Sequence, residues 1–106
     1  MYVALDNEII VGFIDYMVTF NSSTISQIAV TSNYRKQGIA TMLLRKMFES
    51  LPNESDEVVE FVTLEVRESN EAAKKLYLKN GFEIITTKRS YYSNGENAIY
   101  MVKRMN

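Results

Sequence analysis

The spacing of apolar and polar residues along the chain predicts several β-strands before any other feature is considered. Runs rich in Val, Ile, Tyr and Phe cover residues 2–5 and 9–19, and the polar stretch between them predicts a β-hairpin. A third strand is predicted over residues 24–30, after a polar turn. Residues 58–67 alternate between apolar and polar with a period of two, which is typical of a strand with one buried face.

Two segments show helical periodicity instead. In residues 37–51 apolar side chains recur at three- and four-residue steps, which predicts an amphipathic helix closed by Pro52. Residues 70–80 begin with a capping Asn and an acidic first turn and end at Asn-Gly, so they predict a second helix. The last strands are predicted over residues 82–92 and 98–104, which makes the element order β-β-β-α-β-α-β-β.

Composition and charge limit the class of protein. With 106 residues, 46% of them apolar and 24% charged, the chain is expected to form a single α/β domain over residues 1–106. The net charge of −1 provides no global basic field, so we expect no nucleic-acid partner. The most apolar stretch, residues 9–20, contains Asp15 and is too short to cross a bilayer, so we expect no membrane association and a cytoplasmic location.

The chain contains neither His nor Cys, and this removes several kinds of chemistry. Cys/His metal sites, disulfides, and Ser-His-Asp or Cys-His nucleophile arrangements are excluded, and no metal cofactor is expected. Proton transfer in any reaction must therefore fall to carboxylates, Tyr, Lys or water.

The most specific local signal is a basic segment at the start of the first helix, Arg35-Lys36-Gln37-Gly38-Ile39-Ala40. Unpaired backbone N–H groups at a helix start attract anions, and small residues such as Gly38 and Ala40 let a phosphate approach the backbone. The alternative is that Gly38 only relieves crowding at the helix entrance, with solvated charges beside it. Taken alone, such a short pattern is weak support for phosphate binding.

This segment resembles the pyrophosphate loop of the GNAT superfamily of N-acetyltransferases, whose pattern is Gln/Arg-x-x-Gly-x-Gly/Ala. The agreement extends over about residues 26–103, in register, and is strongest with the ribosomal-protein alanine N-acetyltransferase (RimI-like) branch. The other matching segments are Leu64–Ala73, Leu76-Tyr77, Asn80–Phe82, Arg89–Tyr92 and Asn97–Ile99.

The resemblance implies a GNAT fold, with a mixed and mostly antiparallel sheet flanked by two helices, that binds acetyl-CoA as co-substrate. The backbone of Ile28, Ala29 and Val30 would pair with the pantetheine arm like an added strand. Asn70 would hydrogen-bond the same arm, or alternatively cap the second helix. The pyrophosphate would rest on the residues of the loop, which are Arg35, Lys36, Gln37, Gly38, Ile39, Ala40 and Thr41.

By the same resemblance, Glu65 is the general base and Tyr77 the general acid of a direct acetyl transfer to a primary amine. The expected acceptor is the N-terminal α-amine of a protein, such as a ribosomal protein. An α-amine with a pKa near 8 lies about one pH unit above neutrality, so deprotonating it at neutral pH needs little assistance. A lysine side chain near 10.4 lies more than three units above neutrality and needs much more. The alternatives are an ion-paired strand-edge carboxylate for Glu65 and a core aromatic for Tyr77. Tyr91 and Tyr92 match the acceptor side, or fill cross-strand aromatic positions.

The sequence departs from the family pattern at its N-terminus. The strand and two helices with which the usual domain begins have no counterpart, so we expect a shortened fold with apolar surface exposed. A chain of this size buries little surface, and a homodimer or an exchanged strand is therefore expected. Two other functions stay open: acetylation of a small amine such as a polyamine or an aminoglycoside, and acyl-CoA binding without catalysis.

Overall fold

The computed structural model describes residues 1–55 and 57–105, and the chain divides into two compact units, Met1–Val59 and Glu60–Asn106. Each unit contains one α-helix and three strands that pair antiparallel within it. Among the described residues, no helix combines the length and the apolar character needed to cross a bilayer.

The first unit consists of a β-meander followed by a helix. Its elements are β1 (Tyr2–Asp6), β2 (Ile9–Thr19), β3 (Ser22–Val30) and α1 (Ile39–Ser50). Asn7 and Glu8 both adopt a positive φ in the turn between β1 and β2, which gives the tight reversal of a hairpin. Short 3-10 turns occupy Ser32–Tyr34 and Leu51–Asn53.

The core of the first unit lies where α1 packs on the strands. Leu43, Leu44 and Met47 of α1 are buried, and so is Ile14 of β2. Gly12 of β2 is buried as well, and a Cβ there would lie 3.0 Å from the Ala29 carbonyl oxygen. The missing side chain therefore allows close packing at the point where the loop before α1 begins.

The second unit is built around a central strand. Its elements are β4 (Phe61–Arg67), α2 (Glu71–Lys79), β5 (Glu83–Lys88) and β6 (Ala98–Arg104), and β6 pairs with both β4 and β5. Val62, Leu64 and Val66 of β4 are buried, while the residues between them are only partly covered. The predicted alternation along this strand is confirmed, and it leaves Glu65 on the opposite face from the core residues.

Several predicted boundaries were wrong, including the start of the third strand, which begins at Ser22 and not at residue 24. Local backbone conformation explains two of the others. The first helix begins at Ile39 and not at residue 37, because Gly38 has a φ of 81° and a ψ of 8°, which an α-helix does not accommodate. The strand predicted over residues 82–92 ends at Lys88, because Ser90 adopts a φ of 51° and reverses the chain. The strand predicted from residue 58 begins at Phe61. Tyr91 and Tyr92 consequently lie in a loop and not in a strand.

Candidate functional site

The loop from β3 to α1 presents backbone groups at the start of a helix. Gly38 is the N-cap of α1, and its carbonyl oxygen accepts from the Met42 amide at 3.0 Å. Because glycine has no side chain, it cannot accept a hydrogen bond from the first-turn amides as Ser or Asp would. The first turn of α1 also contains no acidic residue. The amides and the positive end of the helix dipole are therefore not neutralised by the cap, which is the arrangement that attracts an anion.

Two side chains hold this loop in shape. The Arg35 Nε donates to the Val30 carbonyl oxygen at 3.0 Å, and the Gln37 Nε2 donates to the Asn33 carbonyl oxygen at 3.1 Å. Lys36 is exposed and has a φ of 64°. Arg35 thus ties the loop to the end of β3, and the Lys36 ammonium remains in solvent beside the helix start.

The strand residues expected to pair with pantetheine lie at the end of β3, immediately before this loop. Ile28, Ala29 and Val30 are each partly buried and pair with Ile14, Phe13 and Gly12 of β2. Pairing with β2 therefore holds the end of β3 in place, and the loop before α1 follows directly from it. Ile39, Ala40 and Thr41 form the first turn of α1.

Glu65 lies on β4 opposite Tyr100 of β6, with its side chain about one quarter exposed. The Lys88 Nζ lies 3.4 Å from Glu65 Oε2, and this oxygen is buried without a hydrogen-bond partner in the part of the chain that the structure describes. A hydrogen bond to Glu65 raises the pKa of the exposed Tyr91 hydroxyl. The alternative predicted for Glu65, an ion pair with a basic side chain, is therefore confirmed as a contact.

Asn70 and Tyr77 both have structural roles on α2. The Asn70 Oδ1 accepts from the Ala73 amide at 3.1 Å, so this residue caps the helix. Tyr77 is 5% exposed, and its ring meets Phe82 edge to face with the centroids 5.5 Å apart. Burial raises the pKa of Tyr77 to about 12, so its hydroxyl remains protonated at neutral pH. These contacts match the helix-capping alternative predicted for Asn70 and the core-aromatic alternative predicted for Tyr77. The ring contact of Tyr77 leaves its hydroxyl able to donate a proton.

A network that the sequence did not reveal anchors the loop containing Tyr91 and Tyr92. Arg67 lies 3.1 Å from Glu96 Oε1 and 3.9 Å from the centroid of the Tyr92 ring. Glu96 Oε2 accepts from the Ser69 amide at 2.9 Å. Hydrogen bonding from the Ser69 side chain, and then from its backbone amide, lowers the pKa of Glu96. The Glu96 contacts join residues almost thirty positions apart, so no local pattern announced them. The cross-strand role considered for the two tyrosines was wrong, because they face the end of β4 from a loop.

Comparison with known proteins gives a family match over most of the chain. Residues 1–84 match the sequence model of the acetyltransferase (GNAT) domain. The chain is also similar to the N-alpha-acetyltransferase of Saccharolobus solfataricus, at 34% identity over 114 residues that cover 96% of this chain and 67% of that protein.

Solved structures agree with the sequence matches. The ribosomal-protein-S18-alanine N-acetyltransferase of Escherichia coli superposes with a TM-score of 0.84 at 33% identity, covering 96% of this chain and 66% of that one. A Bacillus anthracis protein assigned as a streptothricin acetyltransferase, solved with acetyl coenzyme A, superposes with a TM-score of 0.84 at 29% identity, covering 98% of this chain and 61% of that one. The chain thus spans about two thirds of the length of these proteins.

Proposed function

Since the chain belongs to the GNAT acetyltransferase family and has its fold, we propose that it transfers an acetyl group from acetyl-CoA to the N-terminal α-amine of a protein, such as a ribosomal protein. The observation that carries the proposal is the match to N-acetyltransferases across almost the whole chain. The uncapped helix start at Gly38 and the two proton-transfer candidates of the second unit support it.

The cofactor half of the proposal is supported by the geometry around Gly38. A Cβ built on this residue would meet nothing within 4 Å, so the surface before the α1 amides is open to a phosphate group. The pyrophosphate of acetyl-CoA would be held by the amides of residues 36–41, and the exposed Lys36 would add positive charge. The Bacillus anthracis structure contains acetyl coenzyme A, which supports the same ligand here. The pantetheine arm would follow Ile28, Ala29 and Val30, and Asn70 is a further candidate for a hydrogen bond to it.

The catalytic half assigns one proton transfer to each of two side chains. Acetyl-CoA supplies the acetyl group as a thioester. Glu65, directly or through water, takes a proton from the acceptor ammonium. The amine nitrogen then forms its bond to the acetyl carbon and loses a second proton to solvent as the carbon–sulfur bond breaks. Tyr77 donates its hydroxyl proton toward the departing sulfur. No covalent enzyme intermediate is needed, and the chain has no Cys to form a thioester.

The raised pKa of Tyr77 refines its role. A hydroxyl with a pKa of about 12 is a weaker acid than a thiol near 8.5, so complete transfer of its proton to a free thiolate is uphill. Tyr77 therefore acts chiefly as a hydrogen-bond donor to sulfur while charge develops, and solvent restores the proton balance. On this view Tyr77→Phe lowers kcat by about 100-fold and leaves acetyl-CoA affinity within a factor of two. Equal losses in kcat and affinity would contradict the assignment.

The α-amine acceptor is supported by the relatives. The archaeal protein is named for N-alpha acetylation and the Escherichia coli enzyme for the alanine of ribosomal protein S18. An α-amine also requires less help from a single carboxylate than a lysine side chain does. Tyr91 and Tyr92 lie in the loop beside Glu65, where their rings would line a peptide groove.

A small-molecule amine is the second candidate acceptor. The observation in its favour is the similarity to the Bacillus anthracis protein, which is assigned to an antibiotic and not to a peptide. Its identity to this chain is lower than that of the two protein N-terminal acetyltransferases. We therefore rank it below the α-amine.

The test combines binding and transfer on the purified chain. Acetyl-CoA binding is measured by calorimetry, and the chain is then incubated with acetyl-CoA and a peptide beginning with alanine. A gain of about 42 Da on the α-amine, the mass of acetyl replacing hydrogen, is the expected result. The matched control is the same peptide with a blocked N-terminus and an internal lysine, and a polyamine serves as the small amine. Binding without transfer to any acceptor would favour an acyl-CoA-binding module, and no binding by folded protein would overturn the proposal.

A further inference from the structure

The carboxylate of Glu65 is held in an unusual way for a strand side chain. Its Oε2 atom is buried and lacks a hydrogen-bond partner in the described residues, while the Lys88 ammonium lies 3.4 Å away. A carboxylate oxygen removed from water without hydrogen bonds is unfavourable unless a positive charge compensates it. Lys88 is the charge that does so.

The Lys88 ammonium also lies close to two aromatic rings. Its Nζ lies 4.9 Å from the centroid of the Tyr100 ring and 5.5 Å from that of Tyr91. Both distances are within the range of cation–π attraction. Lys88 is also the last residue of β5 and pairs with Ala98 of β6, so its backbone is held by the sheet. The Lys88 side chain, although 42% exposed, therefore has two rings and a carboxylate beside its ammonium.

The three groups around Glu65 come from three different elements. Tyr100 belongs to β6 and lies opposite Glu65 in the ladder, Lys88 ends β5, and Tyr91 lies in the following loop. Interaction with the Glu65 carboxylate also raises the pKa of the Tyr91 hydroxyl. A base must lie within hydrogen-bond reach of the proton that it accepts, and a displacement of about 1 Å can reduce a rate by 100-fold. The contact with Lys88 restrains the carboxylate and so helps to meet this requirement.

We propose that Lys88 is a positioning residue of the acetyl-transfer reaction, and that its ammonium, confined by the rings of Tyr91 and Tyr100, holds the Glu65 carboxylate in the orientation that accepts the proton of the amine. The inference rests on the proposed function, in which Glu65 is the base. It adds a residue that the resemblance did not supply. Lys88 acts through Glu65 and need not touch the substrate.

The test compares two substitutions of Lys88 with a matched lysine elsewhere. Lys88→Met keeps the length of the stem and removes the charge, whereas Lys88→Arg keeps the charge. Lys75→Met removes an exposed lysine from α2 and serves as the control. For each variant, kcat and KM are measured with the alanine peptide, acetyl-CoA affinity by calorimetry, and stability by thermal unfolding.

The expected result is a split between turnover and binding. Lys88→Met lowers kcat by about 10- to 100-fold and changes acetyl-CoA affinity by less than twofold. Lys88→Arg restores most of kcat, and Lys75→Met behaves like the parent chain. A structural role alone would lower the melting temperature without this split between kcat and affinity. Because Lys88→Met leaves the buried Glu65 oxygen uncompensated, a modest fall in its melting temperature is expected, and kcat is compared at a temperature where the parent chain and all variants are folded. If Lys88→Met does not fold, Lys88→Gln replaces it.

Other outcomes would overturn the inference. An unchanged kcat in Lys88→Met means that Glu65 does not need Lys88. A lower peptide KM with a higher kcat means that the Lys88 ammonium competes with the acceptor for Glu65, the opposite of positioning. Equal loss of kcat in Lys88→Met and Lys88→Arg, with a lower melting temperature, means a packing role. If the parent chain binds acetyl-CoA but acetylates none of the acceptors, the proposed transfer function fails first and this inference fails with it.

Discussion

The two units of the chain support function by different physical means. In the first unit, the loop before α1 offers backbone amides, and its neighbouring side chains from Arg35 to Gly38 are exposed. In the second unit, the groups proposed for proton transfer are side chains held by partners, with Tyr77 buried against Phe82 and Glu65 paired with Lys88. A site made of backbone depends on conformation, whereas a site made of side chains depends on particular atoms.

Because of this difference, the two units are expected to respond differently to amino-acid substitutions. In the loop, the path of the backbone depends on Gly38, whose φ of 81° is unfavourable for other residues, and on the hydrogen bonds of the Arg35 and Gln37 side chains. In the second unit, replacing a single oxygen or a single charge is expected to change the rate with little effect on the fold. The two kinds of site can therefore be separated by experiment.

The largest expected effect is that of Glu65→Gln. The amide has nearly the same shape as the carboxylate and cannot accept the proton, so kcat is expected to fall by about 100-fold or more while acetyl-CoA affinity is unchanged. The rate is measured with the alanine peptide and the affinity by calorimetry. Glu68→Gln, at an exposed position three residues after Glu65, is the control. A comparable loss in both variants would remove the distinction on which the assignment rests.

Gly38→Asp is expected to act on binding instead of turnover. An aspartate at this position places a negative charge beside the pyrophosphate, and two like charges about 4 Å apart repel by about 1 to 4 kcal/mol, which corresponds to roughly 5- to 900-fold in acetyl-CoA affinity. Calorimetry measures the change. Gly95→Asp is a matched control, because Gly95 also has a positive φ, 86°, and open space around its Cβ position. Normal affinity in Gly38→Asp would refute the loop assignment.

The pH dependence of the free energy of unfolding tests whether the Tyr77 hydroxyl is buried in the folded protein, unlike the exposed side chains of the loop before α1. The folded pKa of Tyr77, about 12, lies above the unfolded value near 10, so its contribution is fully present below pH 10 and is lost as the pH rises toward 12. The loss is about 2 to 3 kcal/mol of unfolding free energy. Denaturant unfolding at pH 9 and pH 12 measures it. The decline should be smaller in Tyr77→Phe by this amount, and parallel declines in the two proteins would show that Tyr77 is not the group responsible.

The smallest expected effect concerns the cap of α2. Asn70→Ala removes the side-chain acceptor of the Ala73 amide and is expected to destabilise the protein by about 1 kcal/mol. Thermal unfolding measures the change, and Asn70→Asp should retain most of the stability because aspartate caps equally well. A loss of acetyl-CoA affinity in both variants, beyond the loss of stability, would indicate that the Asn70 amide also contacts the pantetheine arm.

Much of the local structure was predictable from the pattern of residues. The alternation along β4 correctly separated Val62, Leu64 and Val66 from Glu65, because a strand turns successive side chains to opposite faces. The capping Asn and the Asn-Gly stop bounded α2 to within one residue at each end. These features depend on interactions within a few positions of the chain, and a sequence displays them directly.

Two of the missed boundaries depended on backbone angles and not on hydrophobicity. Gly38 adopts the left-handed conformation and starts α1 two residues later than the apolar pattern suggested. Ser90 adopts a positive φ that ends the extended chain before Tyr91. Serine tolerates many conformations, so nothing in its neighbourhood announced the reversal. As a result, Tyr91 and Tyr92 lie in a loop and not in the predicted strand.

The family, the loop pattern and the identities of Glu65, Asn70 and Tyr77 as site candidates could all be read from the order of residues, because each belongs to a contiguous motif. Folding alone decided that Lys88 lies 3.4 Å from Glu65 and that Arg67 and Glu96 anchor the loop of Tyr91 and Tyr92. These contacts join residues 23 to 29 positions apart, as the numbers 65 and 88, and 67 and 96, show. Their formation depends on strand pairing and register, which place distant residues side by side, and one sequence contains no local signal for that pairing.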